Sequence, residues 1–144
     1  MSKNVSLFNP VLAKSRSKNA DRKIWQNLPG SSASVAIFHG ALSSKQPILL
    51  LTHDTPSALR LEQELASLNQ QAQLPICLFP DWETLPYDTF SPHQDIISQR
   101  LATLYQLSRM DKGIVIVPVS TLMQRLAPKQ YLEANSLIIK KGDK

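Results

Sequence analysis

The chain has 144 residues, 42% of them hydrophobic and 19% charged, which describes one ordinary domain able to bury a core without disulfides or metals. One cysteine, Cys77, excludes a disulfide framework and a zinc cluster and fits a reducing cytosol. The longest apolar runs, Ile48 to Leu51 and Ile114 to Val117, fall far short of the roughly 20 residues that cross a bilayer, and Met1-Ser2-Lys3-Asn4 opens no export signal.

The formal charge of +5 is local. Lys3, Lys14, Arg16, Lys18, Arg22 and Lys23 face only Asp21, and from Ile24 onward acids and bases balance. Residues 1–22 therefore read as a basic flexible arm. Such an arm attracts phosphates by counterion release, but the balanced body that follows has no electrostatic footprint for nucleic acid.

The first candidate site follows the arm. Asn27-Leu28-Pro29-Gly30-Ser31-Ser32-Ala33-Ser34 precedes a predicted helix over Ala33 to Leu42. Set on the phosphate-cradling pattern G-x-x-x-x-G-K-[ST], it has Asn27 and Ser32 at the glycine positions and Ala33 at the lysine position, and only Ser34 matches. Without the lysine the phosphates lose their cation, and without the second glycine the amides wrap them less freely. Gly30, Ser31, Ser32, Ala33 and Ser34 are thus expected to start a helix rather than bind ATP.

Strands and helices then alternate. Ile48 to Thr52 is a short apolar run of the kind covered on both faces. Its helix begins with Thr55 as cap and Pro56 at the first helical position, with Ala58, Leu61, Leu65 and Leu68 on one stripe and Arg60, Glu62 and Glu64 toward water. Pro75 to Phe79 is the second strand, with Cys77 as an inert, buried thiol in its middle. An irregular segment from Pro80 to Phe90 follows, in which Trp82, Tyr87 and Phe90 are expected to cover one edge of the core, ringed by Asp81, Glu83, Asp88 and Asp95. Ser91-Pro92-His93-Gln94 reads as a capping box opening a helix whose stripe is Ile97, Leu101, Leu104 and Tyr105.

Ile114 to Val117 is β-branched throughout and bounded by Gly113 and Pro118, the clearest strand in the chain. Ser120 is expected to cap a short helix from Thr121 to Leu126, and Ser136 to Lys140 reads as a last strand. The alternation implies an α/β fold with a three-layer parallel sheet. His39, His53 and His93 lie in separate elements without metal-ligand spacing, so surface or capping roles are expected of them and no metal. No nucleophile elbow and no acid–base pair appears, so no catalytic residue is assigned.

The stretch from Phe79 through Asp81-Trp82-Glu83-Thr84-Leu85-Pro86-Tyr87-Asp88 and on to Leu107 resembles the amino-terminal region of the bacterial transcription-repair coupling factors. Val117-Pro118-Val119-Ser120-Thr121-Leu122-Met123-Gln124-Arg125 resembles it again. The likeness covers residues 28–142. It implies a helicase-type α/β domain, similar to the first domain of excinuclease B, that has lost its nucleotide site; Ala33 agrees with that loss. It further implies residues 23–128 as this degenerate domain and residues 129–144 as the truncated start of the next, excinuclease A-recruiting domain.

The family displaces stalled RNA polymerase with an ATP-driven DNA translocase and recruits the nucleotide-excision machinery in the cytoplasm. By the same resemblance, ATP and magnesium belong to a distant motor region, RNA polymerase and DNA to other distant regions, and this stretch carries no enzyme activity or cofactor of its own. Excinuclease B also clamps DNA with a β-hairpin. Here the chain runs straight from Phe90 into the next helix and has no room for one. The other reading, a nucleic-acid-binding module acting through the basic arm, rests on the charge alone.

Overall fold

The computed structural model describes Phe8, residues 24–84, Thr89 and residues 91–135. Three parallel strands, β1 (Ile48–Thr52), β2 (Ile76–Leu78) and β3 (Ile114–Pro118), form a sheet in the order β1-β3-β2. The register aligns Ile48 with Ile114 and Ile76 with Ile114, so β3 is paired with β1 along its length and with β2 from Ile114 to Ile116. β3 is buried throughout, which is why its sequence is apolar at every position.

The helices are α1 (Ser32–Ser43), α2 (Thr55–Leu68), α3 (Gln94–Ser108), α4 (Val119–Leu122) and α5 (Lys129–Asn135). On one face of the sheet Phe38 and Ala41 of α1 and Ala58 and Leu65 of α2 pack with Leu74 against Ile114 and Ile116. On the other, Leu104 of α3 and Met110 pack against Phe79, Val115 and Val117. The layered α/β arrangement expected from the sequence is therefore present.

Several local expectations change. Among the described residues β1 is an edge strand with alternating exposure, and Leu49 and Leu51 are 56% and 52% exposed. A continuous apolar run thus does not mean cover on both faces here, because α3 lies over β2 and β3 and leaves the outer side of β1 open among the described residues. The second strand is shorter than Pro75 to Phe79. Pro75 contributes only its carbonyl, which accepts from the Ile114 amide at 2.9 Å.

Helix starts also move. Asp54, not Thr55, caps α2, its carboxylate accepting from the Ser57 amide at 2.8 Å, and Pro56 becomes the second helical residue instead of the first. α3 begins at Gln94 and is capped by His93 rather than Ser91. The imidazole of His93 accepts from the Asp95 amide at 3.3 Å; Gln94 is itself helical and cannot reach back as the predicted box requires. α4 begins at Val119, so Ser120 lies inside it and cannot be its cap. α5 was not among the predicted elements. It packs on α3 and buries Leu132. The predicted strand over 136–140 lies outside the described residues, as does the arm apart from Phe8.

Candidate functional site

The phosphate-cradle candidate is a turn that enters α1. Gly30 has φ +55°, a left-handed conformation that glycine adopts without strain. The Ser32 hydroxyl closes the turn on the Pro29 carbonyl at 2.6 Å. Residues 24–29 form neither strand nor helix, and Ile24 is 63% exposed. A phosphate cradle is a strand, a loop and a helix in succession, and here residues 24–29, which lead into the turn, form no strand.

Ser34, the one residue that matched the pattern, is buried, and its hydroxyl donates to the carboxylate of Glu64 on α2. Glu64 was expected in water. Instead it lies between Ser34 and the Arg60 guanidinium, whose Nε is 3.4 Å away. A carboxylate beside the turn, an alanine at the lysine position and a committed hydroxyl do not fit a nucleoside triphosphate.

A second constellation sits at the carboxyl end of β2, where open parallel sheets place their sites. Arg100 of α3 is only 3% exposed. Its guanidinium lies 4.4 Å from the Phe79 ring centroid and 4.1 Å from that of Trp82, and donates to the Pro80 carbonyl at 2.6 Å. Trp82 and Phe79 thus enclose a cation rather than simply capping the core.

Asp81, between them, accepts from the Trp82 amide at 2.8 Å, the Ser120 hydroxyl at 2.8 Å and the Gln124 amide at 2.7 Å. The predicted buried stripe of Ile97, Leu101, Leu104 and Tyr105 does not include Arg100. The structure buries Arg100 and Thr103 and leaves Leu101 39% exposed. The signal that could have located Arg100 is the pair of aromatic residues, Phe79 and Trp82, flanking an acid after a strand. Tyr87 and Phe90 lie outside the described residues.

Burial pushes the Asp81 carboxyl up, but the bonds from Ser120, Gln124 and the Trp82 amide, with the nearby Arg100 charge, outweigh it and hold the pKa below its ordinary value of 3.8. The folded state therefore favours the ionised form. Its contribution is complete above the unfolded pKa and is lost as pH falls through the depressed folded value. Urea melts below pH 5 should show wild-type stability falling with acidification, and Asp81→Asn should flatten that part of the profile. An identical slope in the variant would assign the acid loss elsewhere.

The Cys77 thiol is half-buried rather than buried and donates to Gln106 at 3.4 Å. Burial, and secondarily the charge of Glu62, push its pKa up, the opposite of what a nucleophile needs. His53 pairs with Asp54 at 2.9 Å on the surface, and His93 is a cap. No helix among the described residues is long and apolar enough to cross a membrane.

No protein-family model matches the chain. It is similar to the transcription-repair-coupling factor of Haemophilus influenzae, 54% identical over 125 residues, which is 86% of this chain and 11% of that protein. It is similar also to that of Escherichia coli, 42% identical over 127 residues, 88% of this chain and 11% of that protein, and to that of Bacillus subtilis, 26% identical over 120 residues. The chain thus spans about a tenth of the length of the relatives it matches.

Proposed function

The chain belongs to the transcription-repair-coupling factor family, matching the amino-terminal region of its members, and on that premise we propose that it is a catalytically silent α/β scaffold of this DNA-repair machinery. Its role is to position the domain that follows it, which recruits the excinuclease A subunit in the cytosol. Displacement of RNA polymerase, translocation on DNA and the ATP and magnesium that drive them belong to later parts of the longer protein. The observation that carries this reading is the turn at Gly30 to Ser34, where the described residues 24–29 bring in no strand, no cation is available at Ala33 and the Ser34 hydroxyl is bound to Glu64.

A pull-down against the excinuclease A subunit tests the assignment. This chain should retain none of it, whereas a version extended through the following domain should. Capture by the short chain would move the recruiting surface into these residues.

The second reading, binding of nucleic acid through the arm, is favoured by the confinement of the whole net charge to the residues before Trp25. It requires DNA affinity that falls steeply with salt and disappears on deletion of residues 1–22.

A further inference from the structure

We propose that the outer face of α1 is a docking surface for the amino-terminal stretch of this same chain, residues 5–12, which Phe8 pins to the helix, so that the basic arm is held at both ends rather than at one. The inference goes beyond the proposed function and does not depend on it. α1 contains no Asp, Glu, Lys or Arg, and none of residues 32–42 is exposed. A helix on the outside of a domain shows a charged or polar face to water. α1 shows no charged one.

Contacts fix the inner side of α1. Ile37, Phe38, Ala41 and Leu42 pack into the core with α2, and Ser34 bonds to Glu64 of α2. At about 100° per residue, Ala36 and Gly40, each two positions from Phe38, point away from that side, yet Ala36 is 2% exposed and Gly40 is buried. Ala36 is not part of the core cluster that Phe38 joins. The face opposite the core is therefore covered, and its small residues let another segment come close. Phe8 identifies that segment. Its ring meets His39, the residue beside Gly40, at 5.0 Å and 80°, and His39 meets buried Phe38 at 6.0 Å and 81°, an edge-to-face ladder from the arm into the core.

The stretch around Phe8 suits that face. Val5-Ser6-Leu7-Phe8-Asn9-Pro10-Val11-Leu12 is uncharged and mostly apolar, and the cations of the arm, Lys3 apart, come after it, from Lys14 to Lys23. Residues 9–23 can extend to about 50 Å at roughly 3.3 Å each, well beyond the ~18 Å length of a helix such as α1, so the tether reaches. Phe8 itself stays 69% exposed. A contact that small holds because it is intramolecular, at an effective concentration in the millimolar range.

Thiol labelling reads the cover directly. In the full chain carrying Cys77→Ala and Ala36→Cys, the introduced thiol should react slowly with a maleimide, and Phe8→Ala or deletion of residues 1–12 should speed the reaction by about tenfold or more. Lys14→Ser, Arg16→Ser and Lys18→Ser together should leave the rate unchanged, because the apolar stretch and not the charge makes the contact. If the added sulfur disturbs folding, amide exchange of α1 in the otherwise wild-type chain replaces labelling: it should be about tenfold faster with Phe8→Ala, and equal exchange would contradict the docking. Fast labelling of the full chain, or a slow rate that survives the deletion, would overturn the proposal. Slow labelling that disappears on dilution would also overturn it, by assigning the face to a second copy.

Discussion

Replacing Arg100 with methionine should destabilise the domain by about 2–4 kcal/mol, although the substitution conserves most of the side-chain volume. The guanidinium is held by two ring faces, at 4.4 and 4.1 Å, and by the Pro80 carbonyl. Burial lowers its pKa and the nearby Asp81 raises it, with burial the larger effect, so the cation survives because its surroundings compensate for lost water. Methionine fills the space but leaves the Pro80 carbonyl without its donor and Asp81 without its counter-charge. Arg100→Lys should fall between the two, since an ammonium cannot stack as a plane on both rings.

Denaturant unfolding measures the loss. A Trp25→Phe background, which leaves Trp82 as the single tryptophan, would show whether the emission of that ring shifts with it. Stability within about 0.5 kcal/mol of wild type, the range of neutral surface changes, would mean that the stacked cation holds nothing together.

Gly113→Ala should be at least as damaging. The residue has φ +152°, and an added Cβ would lie 2.6 Å from the Pro75 carbonyl oxygen and 2.8 Å from the Met110 sulfur. Met110 can move, but Pro75 cannot, because its carbonyl accepts from the Ile114 amide. The Gly113 carbonyl in turn accepts from the Ile48 amide. One methyl group therefore presses on the junction where all three strands begin, and a cost of about 3 kcal/mol or failure to fold is expected.

Gly30→Ala is the control. Gly30 also has a positive φ, +55°, but nothing lies within 4 Å of its Cβ position, so it should cost about 1 kcal/mol, the conformational penalty alone. Equal melting temperatures for the two variants would show that the close approach at Gly113 is not what matters.

The order of strands and helices was legible in the sequence because hydrophobic periodicity and turn residues act locally. Ile114 to Val117 is the clearest case. What was not legible depended on partners remote in sequence. Leu49 and Leu51 look like core residues, and nothing in Ile48 to Thr52 tells that the strand lies at an edge. Glu64 looks solvated by its position opposite Ala58 and Leu65, yet Ser34, thirty residues earlier, draws its carboxylate in.

Arg100 illustrates the same point. Its charge argues for the surface, and only the folded pairing of the loop after β2 with α3 creates an environment in which a buried guanidinium is satisfied. The caps at Asp54 and His93 were displaced by only one or two residues because several polar side chains in a row could serve, and local spacing does not choose among them. The turn at Gly30 to Ser34 was legible in part. Ala33 stands in the sequence where a lysine would be needed, whereas the irregular backbone of residues 24–29 required the structure.

Isothermal titration of the wild-type chain with ATP and magnesium tests the central claim most directly. The account predicts no binding heat beyond dilution up to millimolar nucleotide, because the turn has no lysine, the Ser34 hydroxyl is bound to Glu64 and that carboxylate lies beside the turn. A saturable isotherm with micromolar affinity, weakened by substitution of Ser34, would contradict it and restore this domain as a working nucleotide site.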